Sequence, residues 1–267
     1  MNSVLISASS KKGIRPENQD NFMVDETISF ISKDENCKTA IPENHLLHIA
    51  AVSDGIAGVG KLGRYCAMAA VNSISSSLKK VNKNIDKNIN EDQLLSILED
   101  IVNQANERVK EVLEQFNERG GCTLAMAAWY NDKFFAINIG DSPIFMLKNG
   151  EFTKITEEHT LAAYKKCVGE KTEQKDENIL LKYLGKNGNV SKMASICIGN
   201  VSSGMTVLLC SDGIPKAYKI KKIRRFIEKY GNRDYWYCKK TNFSELLTKR
   251  AAQKRNSDNC TAVMITF

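Results

Sequence analysis

Five aspartates in this 267-residue sequence stand at the margins of apolar runs. Asp54 follows the run 46–52 and precedes Gly55, and Asp212 follows Val207-Leu208-Leu209-Cys210 and precedes Gly213. Asp141 ends KFFAINIG, Asp258 lies just before CTAVMITF, and Asp20 lies in RPENQDNF. A carboxylate delivered to the end of a buried strand is costly unless it is paired or coordinates a metal. One Asp-Gly after a strand is ordinarily a turn; a set spread along the whole chain is harder to assign that way. Oxygen donors suit hard divalent cations, so the set predicts one cation site assembled by the fold. Gly55, which has no Cβ, lets backbone and ligand approach closely at that point.

A phosphate loop is the competing chemistry. Gly55-Ile56-Ala57-Gly58-Val59-Gly60-Lys61 has the spacing G-x-x-x-x-G-K between a strand and a helix. Leu62 stands where a hydroxyl should hold magnesium, so nucleotide binding is not expected. The eight cysteines form no C-x-x-C pair, which disfavours zinc and redox motifs. Most of them lie in apolar runs and read as reduced core thiols, which predicts a cytoplasmic protein. No stretch approaches the roughly 20 apolar residues of a membrane span, and the start MNSVLISASSKKG is too short an apolar run for a secretory signal.

The net charge of +7 is uneven: residues 214–255 hold 14 Lys or Arg against 3 Asp or Glu, and the remainder 24 against 28. This segment carries helical apolar stripes and, apart from Tyr235-Trp236-Tyr237, no interleaved aromatics, so nucleic acid is not expected. It reads as a solvated basic face, or more sharply as a docking surface for an acidic or phosphorylated partner.

The aspartates need a scaffold. Strands are predicted over 4–9, 21–30, 46–52, 193–198, 206–210 and the closing CTAVMITF, with 32–44 as a loop before the Leu46 strand. Two hairpins follow from Asn131-Asp132 and Asn149-Gly150 between alternating runs. Ala67, Ala70, Val71, Ile74 and Leu78 recur at helical spacing, and so do Leu94, Leu98, Ile101, Val102, Ala105, Val109, Val112 and Phe116 after a capping pair, Asn90 and Gln93. Two more helices start near Ile220 and at Asn242, while 160–190 is polar and Lys-rich with no clear periodicity until Ile179-Leu180-Leu181, hypothetically a mobile flap governing access to the site. With no repeat and no linker, one domain over 1–267 is expected. Its class is α+β, with antiparallel sheets and helices packed outside them.

Seven ordered motifs carry a more specific reading. They are Arg15-Pro16-Glu17-Asn18-Gln19-Asp20, Val52-Ser53-Asp54-Gly55, Gly121-Cys122-Thr123, Asn138-Ile139-Gly140-Asp141-Ser142, Ile155-Thr156-Glu157-Glu158-His159, Leu208-Leu209-Cys210-Ser211-Asp212-Gly213 and Asp258-Asn259-Cys260-Thr261. Together they resemble the metal-dependent protein phosphatase family, type 2C, in its bacterial form. The resemblance implies a four-layer α-β-β-α sandwich of two antiparallel β-sheets flanked by helices. It implies a serine/threonine phosphatase with two Mn²⁺ or Mg²⁺ ions and a weaker third, whose bridging hydroxide attacks phosphorus directly without a phosphoenzyme. By the same resemblance Asp54 bridges the two ions, with the Gly55 carbonyl on one and Asp212 and Asp258 completing the other. Asp20 acts through bound water, Asp141 with Asp212 holds the third ion, and Arg15 clamps the phosphate with its planar fork. The partners implied are phosphoprotein substrates and a cognate serine/threonine kinase, with a monomer expected and neither nucleic acid nor membrane.

Four positions depart from the family pattern. Ile56 and Val59 stand where relatives carry a histidine, Pro143 replaces the usual arginine after Gly-Asp-Ser, and Met205 replaces an aspartate after Gly204. No histidine is therefore placed to protonate the leaving group. The alternative is a catalytically weak pseudophosphatase that acts as a phosphoprotein-binding regulatory module. His159 is expected to be structural, and His45 and His48 to be packing or surface residues.

Overall fold

The long apolar runs become strands, most of them buried on both faces, and they divide into two sheets. The computed structural model describes residues 3–28, 35–42, 46–56, 62–231 and 242–267. One sheet contains β1 (Ser3–Lys11), β4 (Glu35–Pro42), β8 (Ile144–Lys148), β9 (Glu151–Lys154), β11 (Thr206–Cys210) and β12 (Cys260–Thr266), in the order β4-β1-β12-β11-β8-β9. The other contains β2 (Asp20–Val24), β3 (Thr27–Ile28), β5 (His48–Asp54), β6 (Leu124–Tyr130), β7 (Lys133–Ile139) and β10 (Ser195–Asn200), in the order β10-β7-β6-β5-β2-β3. Every strand pair is antiparallel.

Side chains alternate between two cores along these strands. Val263 and Ile265 of β12 point between the sheets and meet Val52, Ala125 and Ala127. Ala262 and Met264 point outward, to a cluster with Ile223, Ile227 and Leu247. Those three residues lie on α5 (Ile220–Tyr230) and α6 (Phe243–Ala252), which cover the first sheet beside the short α4 (Gly213–Ala217). On the far side, Met126 and Ala128 of β6 face Ile74 of α1 (Leu62–Asn84) and Leu98 and Val102 of α2 (Glu91–Phe116). Three apolar clusters thus fill the three gaps of the four-layer sandwich. A one-residue slip of β6 or β12 would exchange its two cores, so register is strongly specified.

Several local readings hold. The Asn90 side chain accepts from Gln93 N at 2.9 Å while the Gln93 side chain accepts from Asn90 N at 3.0 Å, closing the capping box of α2. Asn242 Oδ1 accepts from Glu245 N at 2.9 Å and caps α6. Asn131 and Asn149 both adopt φ 53, the left-handed conformation that their hairpins require.

Three readings are corrected. The segment 32–44 was expected as a loop, yet Glu35–Pro42 forms β4, an edge strand on β1. An edge strand needs only one paired side, so its polar sequence is tolerated, and Pro42 sits at its last position. The strand expected over 21–30 is split into β2 and β3 by a turn at Asp25, φ 50. The segment 160–190 contains α3 (Leu161–Cys167), capped by Thr160 Oγ1 accepting from Ala163 N at 3.1 Å, and a 3₁₀ turn at Gln174–Asn178. Both are too short to imprint a periodic stripe: Ala162 is the one buried residue of α3. Among the described residues no helix is long and apolar enough to cross a membrane.

Candidate active site

Antiparallel pairing brings the starts of some strands and the ends of others to one end of the sandwich. Asp20 opens β2 directly opposite Asp54, which closes β5. Asp141 lies just past β7, Asp212 caps α4 after β11, and Asp258 lies just before β12. All but Asp20, which is buried beneath it, line one cleft of about 670 Å³ together with Arg15, Gly55, Thr123 and Lys216. The glycine of each Asp-Gly pair is required by close backbone approach. A Cβ at Gly55 would overlap the backbone of Gly63 in α1, and one at Gly213 would overlap the Asn259 carbonyl.

Hydroxyls and amides hold the carboxylates in place. Asp20 Oδ2 accepts from Ser211 Oγ and Thr261 Oγ1, each at 2.7 Å, so a buried acid of one sheet is tied to two strands of the other. Asp54 N donates to Thr123 Oγ1 at 3.0 Å, and Thr123 N donates to the Asp54 carbonyl at 2.8 Å. Asn259 braces the loop that carries Arg15. Its Nδ2 donates to the Lys12 and Glu17 carbonyls at 2.8 and 2.9 Å, and its Oδ1 accepts from Gln19 N at 2.9 Å. Arg15 itself forks onto Asp258, Nε to Oδ1 at 2.8 Å and Nη2 to Oδ2 at 2.9 Å. The Lys216 ammonium contacts Asp212 Oδ2 and lies 3.3 Å from Asp258 Oδ2.

Crowding the acids raises their affinity for protons. Burial, then the neighbouring Asp20, Asp212, Asp141 and Asp258, pushes Asp54 well above the usual carboxylate range. Burial also lifts Asp20 to about 7 against the pull of its two hydroxyl donors, and lifts Asp141 to about 7 with help from Asp212. Asp212 rises too, through burial, although Lys216 opposes the shift. Asp258 goes the other way: burial raises it, but Arg15 and Lys216 outweigh burial and hold it below its ordinary value. An excess of buried acid, with Asp20 Oδ1 lacking a hydrogen-bond partner among the described residues, suits a hard divalent cation. Among the described residues no three candidate ligands already stand in an ion-binding cage.

A pH dependence follows for the metal-free protein. Asp20 and Asp141 have an ordinary value of 3.8 and bind protons up to about 7 when folded, so their favourable contribution is complete below about 4 and is lost as pH rises through 7. The melting temperature in chelator should therefore fall between pH 5 and pH 8, and saturating Mn²⁺ should restore most of it at pH 8. A metal-free midpoint that is level or higher at pH 8 contradicts the assignment.

The remaining candidates play other parts. His159 accepts from Gly140 N at 3.1 Å through Nδ1, and burial lowers its pKa to about 4, so it is a neutral structural acceptor. His48 packs on Trp129 at 5.4 Å and pairs with Asp25 at 2.9 Å, while His45 and Val59 lie outside the described residues. The seven described cysteines are free thiols. Thr123, Ser211, Asn259 and Thr261 were inside the sequence motifs, yet only the structure reveals their bracing role. Lys216 had one available signal: it stands four residues after Asp212, the spacing of side chains that meet on a helix.

Comparisons with known proteins bear on the fold and the family. Residues 31–248 match the family model described as Protein phosphatase 2C. A "Serine/threonine phosphatase stp" of Listeria innocua is 26% identical over 173 residues, covering 62% of this chain and 66% of the relative. A Listeria monocytogenes counterpart shows the same identity and coverage. The match therefore spans just under two thirds of the length of these curated relatives. The serine/threonine phosphatase PstP/Ppp of Mycobacterium tuberculosis superposes with a TM-score of 0.73 at 18% identity, covering 100% of this chain and 99% of that one. The S. agalactiae serine/threonine phosphatase gives 0.76 at 17% identity, covering 98% and 99%. Those structural likenesses establish the fold, and the family model spanning most of the sequence establishes the lineage: the chain belongs to the protein phosphatase 2C family.

Proposed function

We propose that this chain is a divalent-metal-dependent phosphatase acting on phosphoserine and phosphothreonine in proteins, with residues 1–267 working as one catalytic domain. The observation that carries the reading is the convergence of Asp20, Asp54, Asp141, Asp212 and Asp258 from both sheets on the cleft that holds Arg15. Family membership supports the reaction class, and a related PstP catalytic domain was solved in complex with two manganese ions. In this reading Asp54 and the Gly55 carbonyl hold one Mn²⁺ or Mg²⁺, Asp54, Asp212 and Asp258 the other, and Asp141 with Asp212 a weaker third. Such ions, when bound, supply a nucleophile at neutral pH by acidifying water and neutralise charge on the phosphoryl oxygens.

The chain's own residues do the rest. The Arg15 fork, now matched to the two oxygens of Asp258, has the geometry to grip two phosphate oxygens instead. Asp20 is sequestered from solvent and tied by Ser211 and Thr261, so it orients its surroundings rather than meeting substrate. Among the described residues no histidine lines the cleft. Burial works against the Lys216 charge, but Asp212 and Asp258 overcome it and raise its pKa, so it is a poor proton donor at neutral pH. Water is left to protonate the leaving alkoxide. In this reading the chain works as a monomer in the cytoplasm, on phosphoproteins made by a cognate kinase.

A phosphothreonine peptide separates this reading from its rival. Phosphate release should require Mn²⁺ or Mg²⁺ and stop in excess chelator; release that persists in chelator overturns the metal-dependent mechanism. The rival, a phosphoprotein-binding module without turnover, draws on Arg15 and Lys216 both engaging Asp258. Peptide binding without release by the folded, manganese-loaded protein would establish it.

A further inference from the structure

The phosphate-bond chemistry proposed above leaves one charged side chain unexplained. Lys216 projects from α4 back over its own N-terminus, because residues four apart share a helix face. Its backbone N–H donates to the Asp212 carbonyl at 3.0 Å, and its ammonium reaches the Asp212 carboxylate and lies 3.3 Å from Asp258 Oδ2. Asp258 is thereby surrounded by donors: Arg15 at both oxygens, Asn259 N at 2.9 Å on Oδ1, and Lys216 on Oδ2. Asp54 and Asp141 have no such cationic partner among the described contacts. Two of the three acids assigned to one core ion, Asp212 and Asp258, therefore already share a positive charge, while Asp54, assigned to both core ions, has no cation in contact among the described residues.

We propose that Lys216 is a tethered competitor for the ion held between Asp212 and Asp258. The inference rests on those two acids being metal ligands, as in the function proposed above. A hard divalent ion bonds carboxylate oxygens at about 2.0–2.1 Å. An ammonium within hydrogen-bond reach of the same oxygens would lie close enough to repel it strongly. For the ion to enter, the ammonium must swing out, and the Lys216 side chain, 47% exposed, has solvent beside it. The ion on the Asp54–Gly55 side meets no such rival. This chain should consequently bind its two core ions in separated steps, one tight and one weak, with Lys216 setting the spacing. The device makes full loading depend on the supply of divalent metal.

Calorimetric Mn²⁺ titration of the wild type, Lys216→Gln and Lys216→Arg tests the proposal, with free Mn²⁺ counted independently by electron paramagnetic resonance. Lys216→Gln should tighten the weak step by at least about tenfold and leave the tight step within about twofold, given the 10–100-fold sensitivity of metal sites to their close neighbours. Lys216→Arg keeps the charge and should retain the weak step. Identical isotherms for wild type and Lys216→Gln overturn the proposal. So does a weaker second step in Lys216→Gln, which would make Lys216 a support for the carboxylates. Should Lys216→Gln fail to fold, Lys216→Met, with its similar length and no charge, is read by the same criteria. Phosphopeptide hydrolysis is scored separately. A tightened second step in protein that releases no phosphate would keep this inference and sink the phosphatase reading.

Discussion

Asp54→Asn is expected to lower Mn²⁺-dependent phosphate release by at least about a thousandfold. Asp54 is the acid with the most acidic neighbours, standing opposite Asp20 and feeling Asp212, Asp141 and Asp258. It is the one carboxylate assigned to both core ions, and each ion supplies several kcal/mol of transition-state stabilisation. About 4 kcal/mol corresponds to a thousandfold in rate. The same substitution removes a carboxylate whose charge is disfavoured by burial, so the metal-free variant should melt at or above the wild-type temperature at pH 8. Single-turnover release and a melting curve in chelator read the two effects together. Retention of more than a tenth of the wild-type rate would end the bridging assignment, and a collapsed melting temperature would mean that Asp54 serves the fold.

The second large effect concerns stability. Ser211→Ala combined with Thr261→Val removes both hydroxyl donors from Asp20 Oδ2, whose partner oxygen already has none. Hydrogen bonds to a charged group contribute roughly 1.5–3 kcal/mol each, so the pair should cost about 3 kcal/mol or more at pH 8. The cost should shrink at pH 5. There Asp20, with a pKa already near 7, is protonated and no longer requires two donors to carry a charge. Urea denaturation at both pH values checks this. An equal cost at pH 5 and pH 8 would show that the hydroxyls matter through packing of the two sheets and not through the acid. Thr261 Oγ1 also contacts Ser10 Oγ at 2.7 Å, so each single variant should be measured beside the double.

Much of this arrangement was legible in the sequence, and the reasons are physical. The long helix 91–116 was clear because a one-sided apolar stripe over 26 residues has a single explanation, and Asn90 fixed where it starts. The strands carrying Asp54 and Asp212 were clear because both of their faces are buried, which leaves continuous apolar runs. The strand Glu35–Pro42 was hidden because an edge is held mostly by backbone pairing, and backbone pairing leaves no pattern in side chains. Likewise, α3 and α4 are 7 and 5 residues long, shorter than the window in which a helical period becomes visible. At the site, residue identity predicted which acids converge. It did not predict which cations lean on them: Arg15 was expected to face phosphate and is found on Asp258, while Lys216 drew no attention. Those preferences depend on distances across the cleft, which spacing along the chain does not encode.

The hydroxyl contact between Ser10 and Thr261 joins positions 251 apart in sequence, in the middle of a sheet where β1 and β12 lie side by side. Closing so long a loop costs only modestly more entropy than closing a short one, because the penalty grows with the logarithm of length. Its kinetic consequence is larger, since non-local pairings of this kind must wait until much of the chain has already condensed. The helices and the 124-to-139 hairpin need only near neighbours. Arg15, Asp20 and Asp258, by contrast, become a unit only when β1 meets β12 and Asn259 reaches the Lys12 and Glu17 carbonyls. The catalytic end of the molecule is therefore assembled from the two extremes of the chain, and the unit of Arg15, Asp20 and Asp258 cannot close before residues 258 and 259 have been made.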